Sequence, residues 1–158
     1  MIPGSGLMGI MAKKIADDQG YAALCAYISA IAAGTLAGNS PHDANEPGTS
    51  GAVPRNTVAM AVRWTLQVLA ERAPGHAVEV RVPPFGAVQV MAGTAHRRGT
   101  PPAVVEMSPS TWLALAVGRL CWADALGANQ ISASGERADL SELLPLNQDY
   151  GHISQLTQ

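Results

Sequence analysis

The 158-residue chain is 47% apolar but only 4% aromatic, so its core must be aliphatic, chiefly Ala, Val and Leu. That length suffices for one domain with a real interior, and a formal charge of −2 gives no overall reason to bind nucleic acid or an anionic membrane. Two distant cysteines, Cys25 and Cys121, exclude a disulfide framework and fit a reducing, cytoplasmic setting as two buried free thiols.

In chain order, residues 1–10 read as an upstream start or an added tag ahead of Met11. Their "GSGLMG" matches a dinucleotide fingerprint by letter but follows no strand. The charges at Lys13 and Lys14 come after the apolar stretch, the reverse of a secretory signal. No apolar run approaches the ~20 residues of a membrane span.

Residues 17–34 predict a helix, with Asp17 and Asp18 at its positive end and Tyr21, Leu24, Cys25, Ile28 and Ile31 at helical spacing. Gly, Pro, Ser, Asn and Asp crowd residues 37–53, a flexible loop that marks off an N-terminal extension, 1–53. The next helix, Arg55 to Ala73, carries a polar ladder of Arg63, Gln67 and Glu71 against an apolar arc of roughly 200° at ~100° per residue. So broad an arc predicts a helix covered on most sides.

"AVEVRVP" alternates as a half-buried strand, Pro83 to Gly86 turn the chain, and "AVQVM" returns. "AVVEM", residues 103–107, is a further strand. Ser108 and Pro109 are an N-cap and first-turn proline, and Gly118 is a left-handed stop. A short helix from Cys121 to Leu126 and a strand over 130–134 follow. Asp139 and Glu142 resemble a capping box for a last helix, closed by Pro145. Residues 147–158 read as a flexible tail. Segregated strands and helices predict an α+β fold, helices on one face of a mostly antiparallel or mixed sheet, with an extra N-terminal helix.

Residues 54–146 also carry a resemblance. "WLALAVGRLCWADALGANQISASGERADLSELLPL" reproduces a helix, Gly-Arg-Leu, a short helix, a strand into Ser-Gly-Glu and a leucine-containing end segment. This order resembles the sterol carrier protein 2 family. "VEVRVPPFGAVQV" and "HRRGTPPAVVE" are similar to a sterol-carrier-like group from high-GC Gram-positive bacteria, the actinobacteria, related to the C-terminal domain of mycothiol-dependent maleylpyruvate isomerases. Cys121 departs from the polar cap usual there, and Asn129, Gln130 and Ser132 stand where a Gly and basic residues are more common.

The resemblance implies lipid binding and transport, in a cavity between sheet and helices that takes a hydrophobic small molecule: a fatty acid, acyl-CoA, phospholipid or steroid-like ligand. The candidate apolar wall is Trp64, Phe85, Trp112, Leu113, Leu115, Trp122 and Leu126, the two rings of 112–126 lying on short helices that roof the sheet. Arg81, His96, Arg97 and Arg98 are candidates for a polar headgroup, or for surface pairs with Glu79 and Glu106. Four scattered histidines give no metal spacing, and no nucleophile stands beside a base, so no cofactor and no catalysis are expected. The alternative is an interaction or accessory module with a filled core, docking a protein partner or second copy through an exposed stripe of Tyr21, Leu24, Ile28 and Ile31.

Overall fold

The computed structural model describes residues 13–34, 53–93, 103–135 and 137–146. Alternating valines build its centre. Strands β1 (Val78–Val82), β2 (Gly86–Val90), β3 (Ala103–Met107) and β4 (Ile131–Ser134) form one sheet in the order β2-β1-β3-β4. β1 pairs antiparallel with β2, Val80 opposite Val88, and parallel with β3, Val80 opposite Val105. β3 and β4 are antiparallel, with Val105 opposite Ala133. The sheet is therefore mixed.

Because side chains alternate with period two, Val78, Val80, Val82, Val90, Val105, Met107 and Ile131 share one buried face. Glu79, Arg81, Gln89, Glu106, Ser132 and Ser134 share the other, exposed or half-buried. Helices α2 (Arg55–Arg72), α3 (Pro109–Ala116) and α4 (Trp122–Gly127) contribute Leu66, Leu69, Leu113, Leu115 and Ala125 to the core with those strand residues. The α+β class and the one-sided helical layer follow from this pattern.

Helix α1 (Asp17–Ala32) packs on α2 and runs antiparallel to it, since Lys14 and Ile15 meet Glu71 and Gln67 while Ala26 lies near Asn56 and Met60. The polar ladder of α2 has a specific use here. Gln67 accepts the Ile15 N–H at 2.9 Å and donates to the Ile15 carbonyl at 3.1 Å. Lys14 pairs with Glu71 at 2.8 Å. The arc of roughly 200° on α2 is thus covered by the sheet on one side and by α1 on another. Gly20 makes the approach possible: a Cβ there would lie 1.9 Å from Cγ of Trp64.

Helix α3 starts where Ser108 Oγ accepts the Thr111 N–H at 3.2 Å, with Pro109 in the first turn. Ser108→Ala should cost about 1 kcal/mol, read as a lower urea midpoint at unchanged slope. Gly118, at φ 78°, stops the helix as expected, and Asn129 takes the left-handed turn before β4 at φ 54°.

One expected element differs. The predicted last helix is a three-residue 3-10 turn, Ser141–Leu143, and Asp139 Oδ1 accepts the Ser141 N–H at 2.8 Å in place of a capping box. Leu140 and Leu146 are both fully buried. Six residues apart, they would point to different sides of a helix at ~100° per residue. A turn followed by extended chain lets both reach the core.

Candidate ligand-binding region

Two of the chain's three tryptophans sit in the middle of the core, each with its indole N–H bonded. Trp64 and Trp112 are both 0% exposed. Trp64 Nε1–H donates to Asp17 Oδ1 at 3.1 Å, and Tyr21 meets its ring edge-on at 6.5 Å between centroids. Trp112 Nε1–H donates to Thr65 Oγ1 at 2.8 Å. That hydroxyl has its own acceptors within its helix, the Ala61 carbonyl at 2.8 Å and the Val62 carbonyl at 3.0 Å. A buried indole needs such a partner, since an unmade N–H bond costs roughly 1–3 kcal/mol. Burial also holds the Tyr27 phenol above its ordinary pKa.

Among the expected wall residues, Trp64, Trp112, Leu113, Leu115 and Trp122 join one buried cluster. Phe85 lies half-buried at the β1–β2 turn, under the Arg55 guanidinium at 5.7 Å, and its carbonyl accepts from Arg63 Nε at 2.8 Å. Leu126 is 39% exposed at the end of α4 and stands outside that cluster.

Of the expected polar group, Arg81 alone is among the described residues. Arg81 lies on the open face of the sheet, bonded to Glu79 and in register with Glu106; these carboxylates raise its pKa further, with Glu79 dominant. His96, Arg97 and Arg98 fall outside the described residues, as does the fingerprint-like segment 4–9. Cys121 corrects an expectation of burial: it is exposed, and its Sγ caps α4 by accepting the Asp124 N–H at 3.4 Å. The sulfur does the work of the polar cap it replaces.

Among the described residues, open hollows lie elsewhere. One, of about 300 Å³, is lined by Met91, Arg137, Asp139, Ser141, Glu142 and Leu143. Another, of about 360 Å³, lies between α1 and α2, lined by Ala22, Ala23, Ala26, Asn56, Thr57 and Met60. Arg137 was not among the expected polar residues. Its place in "SGERADLSELL", beside two acids, was the sequence feature that could have singled it out. Among the described residues no three His, Cys, Asp or Glu side chains gather as metal ligands, and no helix is long and apolar enough to cross a membrane.

No curated protein matches the chain significantly. A family model described as bacterial SCP ortholog matches residues 54–146, which contain the whole sheet, α2, α3, α4 and the final turn. The match covers more than half of the chain and the same segment whose motifs resemble sterol carrier protein 2, so the chain belongs to this bacterial sterol-carrier-like family.

Proposed function

We propose that the protein binds and carries a lipid-like or other small hydrophobic ligand in the cytoplasm, without catalysing its conversion. Family membership supports the ligand class. The carrying observation is a break in the apolar layer beside α4. Ala133 is on the core-facing side of β4, opposite the fully buried Val105, and yet it is exposed. Leu126, on the six-residue α4, is the most exposed of the large apolar side chains described, at 39%.

An apolar chain would slip beneath α4, with Leu126 at the lip, Trp122 as the outer ring and Trp112, Leu113 and Leu115 further in. Each buried CH₂ would contribute about 0.8 kcal/mol, before the entropic losses of binding. The short helix pair hinged at Gly118 could lift where one long helix could not.

A second reading, a partner-binding module with a filled core, is favoured by the complete burial of Trp64 and Trp112. Its expected docking stripe is occupied, however: Leu24 and Ile28, at 0% and 5% exposure, are buried where α1 packs on α2.

Native mass spectrometry of gently purified protein, with and without added fatty acid or acyl-CoA, separates the two readings. A stoichiometric adduct of a few hundred daltons with a shift in Trp emission is the expected result. An unchanged mass and unchanged emission under saturating ligand would sink the carrier reading.

A further inference from the structure

The hollow beside the 3-10 turn has the makings of a second site. Its floor is firm. Met91, at φ 66°, donates its N–H to the Ala73 carbonyl at 2.8 Å and accepts from Ala77 at 3.0 Å. Opposite it, the turn is anchored by the fully buried Leu140 and Leu146. Met91 and Leu143 pack against the core and give the hollow an apolar side.

Three charges line the same space. Arg137 Nη1 donates to the Ala92 carbonyl at 3.2 Å, tying the C-terminal segment to the end of β2. A guanidinium has five N–H donors, and among the described residues Arg137 makes no ion pair, although Asp139 and Glu142 line the same hollow. Asp139 spends one oxygen on the Ser141 N–H. Opposite charges held apart in one hollow of about 300 Å³ fit a ligand that carries both. An anion alone would face two carboxylates, and a cation alone would face the guanidinium.

The geometry points to a binding site for a phosphoethanolamine group, its phosphate on Arg137 and the Ser141 hydroxyl and its ammonium on Asp139 and Glu142. A phosphate offers several acceptor oxygens to the spare donors of Arg137, and a primary ammonium offers three donors to the carboxylates. The group could be the free compound or the head of a lipid. This site is separate from the one proposed under α4 and does not depend on it.

The test is a titration of the ¹⁵N-labelled full chain followed by amide and Arg side-chain shifts. Phosphoethanolamine should give saturable shifts at Arg137, Ser141 and Leu143 in the millimolar range. Glycerol phosphate and ethanolamine, each with half the charge pattern, should bind about tenfold more weakly, as expected for one lost charged hydrogen bond. Arg137→Gln and Glu142→Gln change exposed side chains and should each weaken binding about tenfold while preserving the folded spectrum. Tighter binding of monomeric lysophosphatidylethanolamine would identify a lipid head; equal binding would identify the free compound. No saturation, an equal response to glycerol phosphate, or indifference to both variants overturns the proposal.

Discussion

Gly20→Ala is expected to destabilise the protein by about 3 kcal/mol, the upper part of the range for inserting a methyl group into a packed contact. Taken alone, the change should help, because Ala is favoured over Gly inside a helix by roughly 1 kcal/mol. Here the new Cβ would sit 1.9 Å from Cγ and 2.3 Å from Cδ1 and Cδ2 of Trp64. The indole cannot retreat, since it is fully buried and its Nε1–H is held by Asp17. Helix α1 must therefore slide, which strains the Ile15–Gln67 pair. Trp64→Ala should cost about 3–5 kcal/mol by leaving a cavity. In that background Gly20→Ala should turn neutral or stabilising, a strong coupling between the two sites. Urea unfolding of the four chains measures the cycle; simple additivity would show that α1 does not rest on the indole.

Trp112→Ala should cost about 3–5 kcal/mol for the same reason of cavity formation, and Thr65→Val should cost about 1–3 kcal/mol by a different one. Val fills nearly the same volume as Thr but removes the acceptor of the Trp112 Nε1–H, leaving a buried donor without a partner. Trp112→Phe removes the donor together with part of the ring. Combined with Thr65→Val, it should lose less than the sum of the single changes, because no orphaned N–H remains. Thermal or urea midpoints read both. If Thr65→Val matches the parent chain, the 2.8 Å contact does not anchor α3 to α2.

Much of this protein was determined by local pattern. The alternating valines of β1 and β2, the wide apolar arc of α2, the Ser108-Pro109 start and the Gly118 stop each state a backbone preference that neighbouring residues satisfy without distant help. The family was readable for the same reason, because its motifs are contiguous in residues 54–146. Other features depended on partners far along the chain. Gln67 and Glu71 read as a polar ladder until residues 14 and 15 arrive to use it. The last helix gave way to a turn because Leu140 and Leu146 must both enter the core. Trp64 and Trp112 are ring types that suit a cavity wall or a core, and packing put both in the centre, while Phe85 stayed at the β1–β2 turn. The sequence by itself determined which elements form and the family they belong to, since those rest on local periodicity and turn chemistry. Only the tertiary structure decided which polar groups meet, since contacts such as Trp112 with Thr65 join residues 47 positions apart.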